Sequence, residues 1–353
     1  MTIATAGGAI FDVLHFPAGW MAGALLCVAI AALFGRSMYV PPLMTRIFFI
    51  ALGIIIGGVA TPETMHGMAT WPASILIICV AMIVITLAAA MYLQFVHGWD
   101  LQTALFASVP GALSQVSAIA EDRDADLRAI IIVQTVRVVI LAVGVPAGLA
   151  IAGIDAPARM PMGTLTAFDA PGQFIALVTG CIVAALALYK IGFSGGFFFG
   201  PMIVSATLHG SGLVQLTPPG WVATVAMIGL GAINGGRFNH TSFKMLLNYL
   251  GASLGALAVA LVVSAMFIGV ASLLPSLKIS NLVISYAPGS VDVMMILALA
   301  LHLDPVFVGA HHLARILIVS IMLPIGARLT DPRPLHKHGL PESLEIAKET
   351  LED

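Results

Sequence analysis

Long apolar runs alternate with short polar or glycine-rich breaks along almost the whole chain. A helix needs about 20 apolar residues to cross ~30 Å of hydrocarbon, fewer where neighbours shield its ends. Nine runs fit: 17–34, 43–60, 71–95, 127–150, 172–190, 195–209, 221–236, 245–274 and 305–327. The run 195–209 is short, and Gly195-Gly196 and Gly200-Pro201 interrupt it. The run 245–274 is long, which predicts tilt or an interfacial end. Two further apolar segments, near 102–120 and 283–301, carry the breaks SVPG and YAPG. A Pro-Gly pair removes helical hydrogen bonds, and at membrane depth the freed groups must face protein or a watery cavity. The pattern predicts an all-α polytopic membrane protein. It has about nine or ten transmembrane helices plus two Pro-Gly-broken or re-entrant segments.

The two breaks are related. Pro110-Gly111 and Pro288-Gly289 lie 178 residues apart, and the same spacing links Asp126 to Asp304, Arg137 to Arg315 and Pro146 to Pro324. It also links Gly53 to Gly231 and Gly57-Gly58 to Gly235-Gly236. A spacing of 177 links Pro41-Pro42 to Pro218-Pro219 and Gly23 to Gly200. So many ordered coincidences point to an internal duplication. The expected units are a remnant at 1–15, a first repeat at 16–150 and a connecting loop at 151–171. A second repeat at 172–328 and a polar tail at 329–353 follow. The second repeat opens with a helix, 172–190, that has no evident counterpart before Phe16.

Charge sets the expected orientation. Suppose both broken segments dip in and return on the side they entered. Arg36, Arg46, Arg123, Arg128, Lys190, Arg237 and Lys244 then share one side with Arg328, Arg333 and Lys337 of the tail. Only Arg159 and Lys278 fall on the other. If the segments span instead, the charges split more evenly. The positive-inside rule favours re-entrant segments, a cytoplasmic C-terminus and inverted repeats in a bacterial cytoplasmic (inner) membrane.

Composition agrees with a bilayer protein: 59% of residues are hydrophobic, 9% are charged, and mean hydropathy is +1.04. A soluble domain carries roughly a quarter charged residues. The net charge of −2 suggests no nucleic-acid partner. Cys27, Cys79 and Cys181 lie inside apolar runs with no metal spacing and read as core residues. The N-terminus lacks the basic region of a cleaved signal peptide.

The polar residues inside the runs carry the candidate chemistry. Arg137 lies 11 residues after Asp126, about 16 Å along a helix and near mid-membrane. Arg315 repeats it. An intramembrane arginine is costly unless it faces a partner or water. Two roles fit: pairing with backbone carbonyls or a carboxylate, or binding an anion at the pseudo-twofold interface. The duplication favours the anion role. Helices starting after Gly111 and Gly289 would aim free N–H groups at the same ligand. Ser114 and Asp292 occupy equivalent first-turn places. Ser114 could donate to an anion or form a local cap. Asp292 could carry protons, pair with Arg315 or a sodium ion, or cap its helix. Gln134 and His312 each precede their arginine by three residues and share its face. His311 could share that face and relay protons, or be a satisfied core residue. Asp126 and Asp304 read as helix N-caps. Gly53, Gly57, Gly231 and Gly235 are spaced for close helix packing. The tail predicts only a short helix from Pro341.

The segments FPAGWMAGAL, ALGIIIGG, SVPGALSQVSAIAEDRDADLRAIIIVQTVRVVI and YAPGSVDVMMILALALHLDPVFVGAHHLARILIV resemble the AbrB family of bacterial membrane proteins. The likeness covers about 16–328. It implies some ten helices built from a duplicated unit, and a transporter related to inverted-repeat secondary carriers. Members of the family carry labels as regulators of aidB expression or as ammonia monooxygenases. This chain departs from the usual form by its missing first helix. A copper monooxygenase would need a clustered histidine site, and only His311-His312 cluster here. A direct transcription regulator would need a basic nucleic-acid-binding module.

The expected function is secondary transport of a small anionic solute with proton coupling, and no enzymatic activity, cofactor or metal. Pro110, Gly111, Ser114, Gln134, Arg137, Pro288, Gly289, His312 and Arg315 would form the substrate site. Asp292 and His311 would couple the ion. The expected partners are the solute, the lipid bilayer and a second copy of the chain in a homo-oligomer. The alternative is a membrane sensor that regulates gene expression indirectly, through a partner.

Overall fold

A computed structural model describes residues 1–61, 68–111, 113, 116, 120, 125–151, 170–193, 195–216, 218–239, 241–275 and 277–330. Thirteen α-helices run through them. The first half holds α1 (Thr2–Val13), α2 (Gly19–Leu33), α3 (Pro42–Gly57), α4 (Pro72–His97), α5 (Leu101–Ser108) and α6 (Leu127–Ile151). The second holds α7 (Pro171–Lys190), α8 (Gly196–Gly210), α9 (Gly220–Gly235) and α10 (Phe243–Ala271). It closes with α11 (Ile279–Tyr286), α12 (Val291–Ala300) and α13 (Pro305–Leu329). Helix starts follow local chemistry. Pro42, Pro72, Pro171 and Pro305 occupy first-turn positions, where their missing N–H costs nothing. Asp100, Ser242 and Asp304 accept first-turn N–H groups as N-caps.

Five helices, α4, α6, α7, α10 and α13, are long and apolar enough to cross a membrane. The shorter α2, α3, α8 and α9 have 15 or 16 residues, about 22–24 Å of rise. Large apolar residues such as Leu87, Phe95, Val262 and Met266 stay exposed on the outer surface. The chain is therefore an all-α protein of multi-pass membrane type.

Two expectations need correction. Residues 1–15 are not a bare remnant, because α1 is a helix and packs on α2. Its Gly7 meets Gly23 of α2, as Ala184 of α7 meets Gly200 of α8, with both positions 177 residues on. The Gly200-Pro201 pair does not interrupt its run, since α8 continues through Pro201.

The broken segments are hairpins, and hydrogen bonds in each half set their course. The Asp126 N–H donates to Thr103 Oγ1 (2.9 Å), so the chain returns beside the start of α5. Gln134 Nε2 donates to Phe106 O and Arg137 reaches Ser108 O, so α5 and α6 climb side by side in the same direction. In the second half, Asp304 N–H donates to Asn281 Oδ1 (3.2 Å), and Arg315 reaches Ala287 O. The chain enters, breaks at Pro-Gly and comes back to the end it left.

Other contacts fix which loops share an end. The loop before α3 meets the loop before α10 through reciprocal bonds between Met38 and Asn239. Trp99 and Asp126 meet Tyr249 at the start of α10. At the opposite end Trp71, before α4, packs on Phe307 at the start of α13. The first hairpin thus enters from one end and the second from the other. Their tips meet between them: a Cβ on Gly111 would lie 3.5 Å from Gly289 O.

Glycines let the halves interlock. A Cβ at Gly231 of α9 would come within 2.6 Å of Met21 O on α2, and one at Gly235 within 2.6 Å of Leu25 O. Gly53 and Gly57 of α3 meet Phe198 O and Met202 O of α8 in the same way. The packing role expected of these four glycines is met by backbone contact.

Candidate functional site

Each hairpin tip leaves carbonyls with no helical donor. Pro110 has no N–H to give, and Gly111 turns the chain with φ +79°. Arg137 fills the gap: Nη1 donates to Ser108 O (3.1 Å) and Nη2 to Val109 O (3.0 Å). Arg315 does the same for the second tip, with Nη1 on Ala287 O (2.9 Å) and Nη2 on Gly289 O (3.1 Å). Both guanidinium groups sit at the negative ends of short helices, which favours a cation there. Hence the alternative left open for these arginines, pairing with backbone carbonyls, accounts for one bond from each of their Nη groups.

A cavity of about 490 Å³ opens where the tips meet. Gln134, Arg137 and Val138 of α6 form one wall, and Gly111 and Leu113 of the first hairpin adjoin it. Ser290, Val291 and Asp292 of the second hairpin face them. Phe49, Phe198 and Phe199 supply an aromatic side, with Ile233 and Arg237 at the end of α9. The volume lies within the usual range of small-molecule sites, roughly 300–1,000 Å³.

Asp292 is tied down on this wall. Its Oδ2 accepts from Asn234 Nδ2 (3.1 Å), and its Oδ1 accepts from Ser290 Oγ. A charged neighbour is Arg237, which was not among the partners, Arg315 or a sodium ion, that the sequence offered. Burial pushes the Arg237 guanidinium below the ordinary arginine range, and the Asp292 carboxylate partly offsets that. Arg137 is 4% exposed, and its Nε finds no acceptor among the described residues.

Of the residues nominated from sequence, Gly111, Gln134, Arg137 and Asp292 line the cavity. Pro110, Pro288, Gly289, His312 and Arg315 lie behind it rather than on its wall. His312 Nδ1 accepts from Arg315 Nη1 (2.9 Å) and so braces that arginine. Ser114 lies outside the described residues. His311 is elsewhere. Its Nδ1 donates to Phe307 O (2.8 Å), which leaves Nε2 to accept from Ser74 Oγ (2.9 Å) on α4. Both ring nitrogens are then satisfied and His311 is not on the cavity wall, so the core alternative fits it better than a relay. Sequence reasoning missed Arg237, Ser290 and Asn234. Arg237 read as one loop charge among seven, and only the fold turns it inward. Among the described residues no three His, Cys, Asp or Glu side chains cluster to hold a metal.

The chain matches the family described as "Transition state regulatory protein AbrB" over residues 2–331. "Uncharacterized protein YhjN" of Bacillus subtilis (strain 168) is 22% identical over 364 aligned positions. That alignment covers 96% of this chain and 93% of the relative. The match indicates no enzyme family. It takes in every described helix, both hairpins and the whole cavity wall, and the chain belongs to the AbrB family.

Proposed function

We propose that this chain is a secondary transporter of a small anionic solute in the bacterial cytoplasmic membrane. The observation that carries the reading is the cavity at the meeting point of two hairpins, with buried Arg137 on its wall and its Nε without an acceptor among the described residues. Hairpins that enter from opposite ends follow from inverted repeats: five crossings per half is an odd number, so the second half starts on the other side. Broken helices meeting at mid-membrane are a transporter architecture. The end shared by Arg36, Arg46, Lys190, Arg237 and Lys244 is the cytoplasmic one, and the C-terminus lies there. The cavity wall includes Gly195 and Arg237 from loops of that end, so it opens toward the cytoplasm. Asp292, the carboxylate on the cavity wall, is our candidate for carrying a coupled proton.

The word "regulatory" in the family description favours a second reading, a membrane sensor acting through a partner. Flux separates the two. Purified protein in proteoliposomes, preloaded with a panel of small organic anions, is tested for counterflow of the labelled anion. Transport predicts saturable exchange for at least one. Binding without exchange across the whole panel would leave the sensor reading standing and remove the transporter.

A further inference from the structure

We infer that the cavity takes a monoanion with an apolar body, such as an aryl or branched-chain monocarboxylate, not an inorganic anion or a dicarboxylate. The inference rests on reading this cavity as the solute site. Among the described residues its charged wall residues are Arg137, Arg237 and Asp292. Two guanidinium groups against one carboxylate leave a single positive charge for the solute to balance. A dianion would leave an unmatched charge in a largely apolar site, which is costly. Arg137 supplies the anchor. Its two Nη groups hold the first hairpin, and its buried Nε has no acceptor among the described residues.

The rest of the wall is apolar and aromatic. Phe198 stands edge-on to Phe49 (6.5 Å, 77°) and to Phe199 (5.2 Å, 86°). Leu113, Val138, Ile233 and Ile316 add aliphatic surface. A hydrated ion such as phosphate would lose water to this surface and gain nothing from it. An aryl or branched body gains burial.

The approach repeats the same pairing. A second cavity, about 680 Å³, shares Phe49, Gly195 and Phe198 with the first. In it the Arg46 guanidinium stacks over Tyr189 (5.3 Å) and Phe197 (5.1 Å). A solute arriving from that end meets a cation set among aromatic rings before it reaches Arg137.

The test is ligand-induced thermal stabilisation of the purified full chain in detergent. The probes are benzoate, phenylacetate and 4-methylpentanoate, against acetate, succinate, citrate, phosphate and phenylalanine. The first three are expected to bind at least about tenfold tighter than acetate, the gain from burying an apolar body. Phe198→Ala should weaken them about tenfold while Phe198→Leu keeps most of the affinity. Arg137→Gln should abolish binding. Arg237→Gln, which leaves the hairpin bonds intact, should weaken it if Arg137→Gln fails to fold. Tighter binding of succinate, citrate, phosphate or phenylalanine overturns the inference. So does failure of all three test monocarboxylates to bind. Binding without counterflow removes only the transporter reading, and counterflow of a dicarboxylate removes only the solute class.

Discussion

Arg315 is 1% exposed, yet its Nη groups serve two tip carbonyls and His312. That pairing decides what its loss should do. Arg315→Leu leaves Ala287 O, Gly289 O and His312 Nδ1 without donors in a dry interior. An unsatisfied buried polar group costs about 1–3 kcal/mol, and partial relaxation of the tip lowers the sum. The expected loss is about 2–4 kcal/mol, read as a lower unfolding temperature in detergent. Arg315→Lys should restore only part, because an ammonium cannot fork across two carbonyls. An unchanged unfolding temperature in the leucine variant would remove the bracing role. The arginines were visible in the sequence because an arginine inside an apolar run is expensive and this one occurs twice. Their partners were not, because a carbonyl freed by a Pro-Gly break looks like any other in sequence. His311 misled for a related reason. Its neighbour His312 does face Arg315, but one residue of helix turns His311 toward Ser74.

Between helices, backbone contact does what side chains do in a soluble core. In lipid, apolar side chains gain little from burial, so close approach through small residues holds helices together. Gly231 is pressed on Met21 O and Gly235 on Leu25 O, while Gly144 and Gly148 of α6 meet nothing within 4 Å among the described residues. The four glycines therefore predict opposite outcomes. Gly231→Leu should push α2 from α9 and lower the yield of folded, monodisperse protein. Gly144→Ala should be neutral or stabilise slightly, since alanine favours a helix over glycine by roughly 0.5–1 kcal/mol. Size-exclusion profiles and unfolding temperatures of the two variants check this, and equal behaviour would contradict the contact argument. The four-residue glycine spacing made these contacts legible in the sequence, and the long apolar runs made α4, α6, α7, α10 and α13 legible. Two elements were harder. α1 has only 12 residues, too few to read as a span. α8 holds Pro201 inside it, but the glycine before that proline lets α8 sit against Ala184 of α7, and the packing keeps the helix whole.

Across the whole molecule, the two hairpins make the ends of the bundle unequal. At the arginine-rich end Gly192, Phe193, Gly195 and the turn at 236–238 leave the cavity a way in, past Arg46 and Phe49. At the other end Trp71 packs on Phe307, Ser74 binds His311, and Tyr286 Oη donates to Ser74 O (2.7 Å). These contacts tie α4, the second hairpin and α13 into one closed block. Access should therefore be one-sided, and cysteine labelling can read it. In a background with Cys27, Cys79 and Cys181 replaced by serine, a membrane-impermeant maleimide is the probe. Ile233→Cys, on the cavity wall, should react in inside-out vesicles and stay protected in intact cells. Lys278→Cys, in the loop of the opposite end, should show the reverse. Reversed labelling of both positions would invert the orientation while leaving the hairpin geometry untouched. Labelling of Ile233→Cys from both sides would mean the block at Trp71 and Ser74 opens on its own. A solute that slows the Ile233→Cys reaction then marks occupancy of the cavity itself, because this side chain lines the site and Lys278 does not.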